Sequence, residues 1–398
     1  MYQLEDFNFY NKRVLVRCDF NVAIKKGKVV DDFRIVRSLA TLFYLKKRGA
    51  KIVLMSHLGR PEESEPTNKK SQSKTKGLSL RPIQKKLEEL LRVKVGFSAK
   101  LKGRLLEGRI NRMKAGEFLL LENLRFDQGE EANSDKLAKD LARLGDIFVN
   151  EAFSVCHRQH TSVYLLPQLM PHCAGFNLVE EVEFLSKVRD NPPRPFTVII
   201  GGAKLDSKMK VIDEFIIQAD HILFGGDIAD VILAVKGICL GCSWPQQDIA
   251  EKIKKIDLTS SKIHLPIDVL MSPDRSGDNY IRCGAPGTLR KEEEILDLGS
   301  ETVQKFSEII RQSASVFWSG PLGLIENEKF TQGTLGVGGA LNRNKGALKV
   351  LGGGDTVPIL KKHGLADGFS FISSGGGAML AFLAKESMPG LLALGYKV

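Results

Sequence analysis

The sequence is poor in the features that mark several whole classes of protein. Its 398 residues hold six cysteines, too sparse for a disulfide scaffold, so the expectation is reduced thiols in a cytoplasmic protein. No run of 18 unbroken apolar residues occurs. The most apolar window, 162–179, is interrupted by Pro167, Pro171 and His172, which argues against a membrane span. The opening MYQLEDFNFYNKR lacks the charged-then-apolar layout of a secretory signal. Two nucleotide motifs are missing as well. No GxxxxGKS or GxxxxGKT is present, and Gly336-Val-Gly338 is followed by Leu341 where GxGxxG needs its last glycine. A P-loop kinase and a dinucleotide dehydrogenase are both disfavoured. With 43% hydrophobic and 26% charged residues, the chain is neither disordered, collagen-like nor a coiled coil.

What is present points to two globular domains, the number expected for this length. The net charge is +11 and lies in one half: 33 Lys and Arg against 21 Asp and Glu up to Glu180, then 25 against 26. A basic half fits a solvated surface, a nucleic-acid or membrane face, or a site for a multiply charged small anion. Short apolar runs recur at 13–17, 51–56, 117–122 and 146–150, then at 197–202, 221–226, 262–268, 315–321, 347–355 and 369–377. Amphipathic stretches such as Ile35–Arg48, Leu80–Arg92, Ser134–Leu144 and Glu301–Ser313 lie between them. Runs apolar throughout suit strands covered on both faces, and the alternation predicts an α/β fold of two doubly wound, Rossmann-like parallel sheets. Residues 177–196 read as a connecting helix stopped by Pro192, Pro193 and Pro195. The polar segment 61–77 reads as a surface loop.

Ligands of such sheets bind beyond the carboxyl ends of the strands, and there the two halves differ in chemistry. In the second half stand Gly201-Gly202-Ala203-Lys204, Gly225-Gly226, Gly352-Gly353-Gly354-Asp355-Thr356 and Gly375-Gly376-Gly377. Glycine turns that open helices suit phosphate, with Asp355 placed for Mg²⁺ and Lys204 and Lys208 for charge neutralisation. In the first half stand Asp19-Phe-Asn21, Arg34, Ser56-His57-Leu58-Gly59-Arg60, Arg125, and His157-Arg158-Gln-His160. Arginine forks after successive strand ends match carboxylate and phosphate oxygens. Cys239 and Cys242 have redox or metal spacing but no companion pair, and read as structural. Trp244 and Trp318 read as core or domain packing.

VRCDFNV, SHLGRP, LENLRF, NEAF with HR, PFTVIIGGAK, LPID, WSGPLG, GGGDT and SSGGGA, in that order, resemble the phosphoglycerate kinase family over nearly the whole chain. The resemblance implies an N-terminal domain (1–176, completed by 379–398) that holds 3-phosphoglycerate. It implies a helix and linker (177–196) and a C-terminal domain (197–378) for Mg-ATP or Mg-ADP. It implies hinge closure, reversible phosphoryl transfer in glycolysis or gluconeogenesis, and a cytoplasmic monomer without nucleic-acid or membrane partners. Carried over by position, Asp19, Asn21, Arg34, His57, Leu58, Gly59, Arg60, Arg125 and Arg158 fall at the phosphoglycerate. Lys208, Glu326, Gly353, Gly354, Asp355 and Thr356 fall at the nucleotide, with Asp355 on the metal. Arg34, Lys204, Lys208 and Gly376 fall at the transferring phosphoryl group.

The pattern also departs from the family. Ala23 replaces a proline, Leu205-Asp-Ser precedes Lys208, Ser319 replaces an asparagine and Ala381 a glutamate. Asp227-Ile-Ala-Asp230-Val231-Ile232 stands where GGxMAFTF is usual. An altered paralogue that only binds is therefore the competing expectation. Nucleic-acid binding ranks below it, because no aromatics are interleaved with the basic residues.

Overall fold

The computed structural model describes residues 1–61, 77–239, 241–242, 244–257 and 259–397. The surface loop expected over 61–77 therefore lies, apart from its two ends, outside the described residues. The chain forms two compact units, Met1–Glu183 with Ser387–Val398, and Phe184–Glu386. It passes from the first to the second inside the helix Phe176–Asp190.

The first unit contains β1 (Arg13–Arg17), β2 (Ile24–Lys25), β3 (Lys28–Val29), β4 (Lys51–Met55), β5 (Val95–Ser98), β6 (Phe118–Leu121), β7 (Ile147–Asn150) and β8 (His172–Ala174). β2 and β3 form a small hairpin. The other six make one parallel sheet in the order β5-β6-β4-β1-β7-β8. β1 is central: Val14 lies opposite Ile52 on one side and Ile147 on the other. Strand order turns at β1, which opens a crevice at its carboxyl end. β4, β6 and β7 are buried almost throughout, as continuous apolar runs require. The edge strands β5 and β8 are short and only partly buried, so they offered no such run. Helix Arg81–Leu91 has Pro82 in its first turn and buries Ile83, Leu87 and Leu91, one per turn along one face. The helix expected over Ile35–Arg48 is two helices, Phe33–Arg37 and Leu39–Lys47. Ser38 separates them, its N–H closing back on Ile35 O at 3.1 Å.

The second unit contains β9 (Phe196–Ile200), β10 (His221–Phe224), β11 (Ile263–His264), β12 (Val269–Ser272), β13 (Arg282–Gly284), β14 (Glu294–Leu298), β15 (Ser315–Ser319), β16 (Leu348–Gly352) and β17 (Phe371–Ser373). Six form a parallel sheet in the order β11-β10-β9-β15-β16-β17. Trp318 of β15 is fully buried in its core, with Phe306, Val337 and Leu351. A three-stranded antiparallel sheet, β13-β12-β14, stands beside the sequence pattern as an addition. β13 hides from a search for apolar runs because it reads Arg-Cys-Gly and none of its residues is fully buried.

Two expectations are corrected. The thiols are not all reduced: Cys239 and Cys242 form a disulfide, their Cα atoms 5.7 Å apart, within bridging reach. The other four cysteines are free, with Cys18, Cys156 and Cys173 buried. Trp244 is not a packing residue. It is 58% exposed, because the helix that follows, Gln247–Lys254, buries Ile249, Ala250 and Ile253 instead.

Candidate active site

In the first unit the polar residues gather where β1, β4, β6 and β7 end. Asp19, just past β1, is buried, and its Oδ2 ion-pairs with Arg34 and accepts Ser154 Oγ at 2.6 Å. Asp19 Oδ1 accepts the N–H of Asn21 at 3.1 Å, and Asn21 Oδ1 accepts that of Gly59 at 2.9 Å. The turns after β1 and β4 are thus tied together by side chains. Asn123, past β6, fastens the same turn: its Oδ1 accepts from Leu58 N at 3.2 Å and its Nδ2 donates to Leu58 O at 2.8 Å. Leu58 itself is buried and contributes backbone rather than side chain. Arg125 donates to Gly59 O at 2.6 Å and pairs through Nε with Glu131 at 3.0 Å. Arg158, past β7, donates from Nε to His157 Nε2 at 3.2 Å.

These guanidinium groups crowd one another and the histidines between them. Burial first, then Arg158, Arg17 and Arg60, lower the Arg125 pKa despite Glu131. Burial and then Arg17, Arg125, His160 and Arg34 hold His57 well below its ordinary value. Burial, Arg125 and Arg158 push His160 down to about 3. Guanidinium groups gathered beside neutral imidazoles make a place for an anion.

Sequence reasoning missed Arg17, the residue beneath this cluster. It is fully buried, and Nη2 lies 3.2 Å from His57 Nδ1 while Nε donates to Ser162 Oγ at 3.0 Å. Glu130 Oε1 lies 4.0 Å from it and accepts Ser162 Oγ at 2.6 Å. A guanidinium only donates, so Nδ1 of the neutral His57 must accept and Nε2 carries the proton. The available signal was a charge inside an otherwise apolar strand, Arg-Val-Leu-Val-Arg. Asn123 was missed too, hidden beside the conspicuous Arg125.

In the second unit the glycine turns meet at the ends of β9, β10, β15, β16 and β17. Lys208 is buried, and its Nζ donates to Gly201 O. Gly320 permits that approach: its φ is 92°, and a Cβ there would lie 2.7 Å from Lys208 Nζ and 2.2 Å from Gly201 O. Burial pushes the Lys208 ammonium down to about 8, opposed by Asp355 and reinforced by Lys204. A Cβ on Gly353 would lie 3.6 Å from Gly320 N, whereas one on Gly354 or Gly376 would meet no protein atom within 4 Å. Thr356 is buried, and its Oγ1 has no hydrogen-bond partner among the described residues. Lys204, Gly354 and Asp355 are exposed. Ala203 and Gly226 also border a cavity of 540 Å³ walled by Asp227, Asp230, Val231, Leu289 and Leu322. Glu326 is exposed, two residues beyond Leu324 in that wall. The arrangement offers buried and exposed cations, a hydroxyl, a carboxylate and open backbone to a polyphosphate, with a half-apolar recess beside them.

Among the described residues no group of three or more His, Cys, Asp or Glu could hold a metal. Asp355 alone supplies a carboxylate by the open glycine turn. That fits Mg²⁺, which takes one or two carboxylates together with substrate phosphates rather than a protein cage.

The phosphoglycerate kinase family model matches residues 4–386. A phosphoglycerate kinase from Orientia tsutsugamushi (strain Ikeda) is 38% identical over 404 residues, covering 100% of this chain and 97% of the relative. One from Lacticaseibacillus casei (strain BL23) is 38% identical over 400 residues, with 99% of each covered. Among solved structures, phosphoglycerate kinase from Coxiella burnetii superposes with a TM-score of 0.84 at 33% identity, covering 99% of this chain and 98% of that one. That from Pyrococcus horikoshii OT3 gives 0.86 at 31%, with the same coverage.

Proposed function

The chain belongs to the phosphoglycerate kinase family, and from that premise we propose how its residues carry phosphoryl transfer between ATP and the carboxylate of 3-phosphoglycerate. The acceptor carboxylate is ionised near pH 7, so attack on the γ-phosphate needs no general base. The protein's task is to align two anions and neutralise the phosphoryl oxygens.

The first unit binds 3-phosphoglycerate. Arg60, Arg125 and Arg158 receive its phosphate and carboxylate oxygens, and His57 donates from Nε2. Asp19 and Asn21 hold the turns and reach the substrate hydroxyl. Arg34, released from Asp19, covers the acyl end where phosphate is exchanged. The second unit binds the nucleotide. Lys208, Lys204 and the Gly353–Thr356 turn take the phosphates, and the backbone near Gly376 faces the group in transit. Mg²⁺, held by Asp355 and the phosphates, supplies charge neutralisation between them. Glu326 lies on the exposed turn where a ribose would extend from the cavity. The single observation that carries the reading is the gathering of Arg17, Arg125 and Arg158 around neutral His57 and His160 beyond the strand ends, guanidinium charge that a multiply charged anion relieves.

The test couples product formation to NADH-dependent reduction, with ATP, 3-phosphoglycerate and Mg²⁺. A signal requiring all three is expected; none from pure protein would overturn the reading. Arg34→Ala should lower kcat about a thousandfold, the scale of an arginine that neutralises a phosphoryl transition state. Because Ser154 and the Asn21 N–H still hold Asp19, its melting curve should barely move. A monomer by light scattering is the expected state. Among the described residues no helix is long and apolar enough to cross a membrane.

A further inference from the structure

Five carboxylates border the 540 Å³ cavity of the second unit, and one of them stands apart. Glu293 is held by Arg282 Nε at 2.7 Å, by Tyr280 Oη at 2.9 Å and by the Arg290 N–H at 2.9 Å. Glu294 takes Arg275 Nε at 3.0 Å. Asp297 accepts the N–H groups of Leu298 and Gly333, each at 2.9 Å. Asp227 is exposed in the first turn of the helix Gly226–Val235. Asp230, nearly one turn further along that helix, is half-buried, borders the cavity, and has no hydrogen-bond partner among the described residues. A half-buried carboxyl that no protein donor holds is available to a ligand that brings donors to it.

We infer that Asp230 reads the nucleotide base and selects guanine over adenine, an inference that rests on the second unit being the nucleotide site. The recess has the size and the half-apolar lining of a small-molecule site. Val231, Leu289 and Leu322 offer apolar wall to the faces of a purine. It adjoins the phosphate-facing glycine turns through Ala203 and Gly226, so a base entering it stays within reach of its own phosphates.

The edges of the two purines then decide. Guanine presents N1–H and the N2 amino group side by side, two donors for one ionised carboxylate. Adenine presents the N6 amino group beside the N1 acceptor, so one carboxylate oxygen would face a lone pair. Burial and the neighbouring Asp227 raise the Asp230 carboxyl, and two N–H donors oppose that rise by favouring the ionised, acceptor-only form. The segment 227–232 is also where the sequence leaves the pattern it otherwise resembles. There Asp230 stands at the first phenylalanine of GGxMAFTF, a residue that could read no hydrogen-bonding edge.

Calorimetric titration of the full chain with GDP and with ADP, in Mg²⁺ buffer, tests this. GDP is expected to bind about tenfold or more tightly, the discrimination of one bidentate base contact. Asp230→Asn, whose amide has one acceptor and one donor, should remove most of that preference while ADP binding persists as the check on folding. Equal affinities in the wild type, tighter ADP, or an unchanged ratio in the variant would overturn the role of Asp230 and leave the nucleotide site standing. Binding of neither nucleotide would overturn the site itself, and this inference with it. Should Asp230→Asn not fold, the wild-type ratio alone decides.

Discussion

Lys208, proposed as a phosphate contact, carries a weakened charge. Its ammonium is pushed down to about 8 by burial, so in the free protein it is cationic at pH 7 and largely neutral at pH 9. Polyphosphate favours the charged form, so binding near pH 8 must take up a proton. Calorimetry at pH 8 in buffers of different ionisation enthalpy should show that uptake. Lys208→Arg, permanently charged, should show none, and absence of uptake in the wild type would remove Lys208 from phosphate contact. Arg17 acts at one remove, as a positioning residue. Arg17→Lys keeps the charge but loses the fork that reaches His57 Nδ1 and Ser162. The KM for phosphoglycerate should rise about tenfold with the nucleotide KM unchanged, and ¹⁵N spectra should show His57 leaving the Nε2–H tautomer. A tautomer unchanged in the variant would make Arg17 purely structural. These two residues show what was legible at this scale. The arginines, His57 and Lys208 announced themselves by standing after apolar runs. The partners that orient them did not, because Arg17 and Asn123 act through tertiary contacts to residues 40 and 65 positions away.

At the scale of elements, the apolar runs identified the central strands, since burial on both faces leaves no alternation to disguise them. Edge strands β5 and β8 and strand β13 escaped, because a partly wet strand of only three or four residues resembles a polar loop. The break at Ser38 escaped because both flanking helices share one amphipathic rhythm. The glycine turns divide by what surrounds them, and this gives a paired prediction. Gly320→Ala sets a Cβ against Gly201 O at 2.2 Å with φ at 92°. It should cost roughly 2 kcal/mol or more and lower Tm by about 4 °C or more. Gly354→Ala meets no protein atom within 4 Å, so Tm should hold within about 1 °C. Its nucleotide affinity should fall all the same, because the methyl group would occupy the face proposed for the phosphates. Equal melting curves for the two variants would show that the turn after β15 can relax. Unchanged affinity in Gly354→Ala would place the phosphates elsewhere.

For the whole molecule, length and the change of charge balance near residue 180 already indicated two parts, and the chain passes between them inside the helix Phe176–Asp190, ahead of the prolines at 192, 193 and 195. The return of the chain's end is different in kind: no local pattern encodes a partner more than two hundred residues away. Met388, Leu391 and Leu394 are buried in the first unit, and Gly390 donates its N–H to Cys156 O at 2.8 Å. A Cβ on Gly390 would lie 2.5 Å from Val163 and 2.9 Å from Cys156 Cα, so the tail lies directly on the segment that follows β7. Three buried apolar side chains contribute about 1.5–3 kcal/mol each, comparable with the entire stability of a domain, about 5–15 kcal/mol. A chain ending at Glu386 should therefore lose or greatly lower the melting transition of its first unit. The second unit contains no residue of the tail and should still bind nucleotide within a fewfold of the full chain. Calorimetric melting with a parallel nucleotide titration separates the two effects. A shortened chain that keeps both transitions would show that the tail decorates the first unit without holding it together.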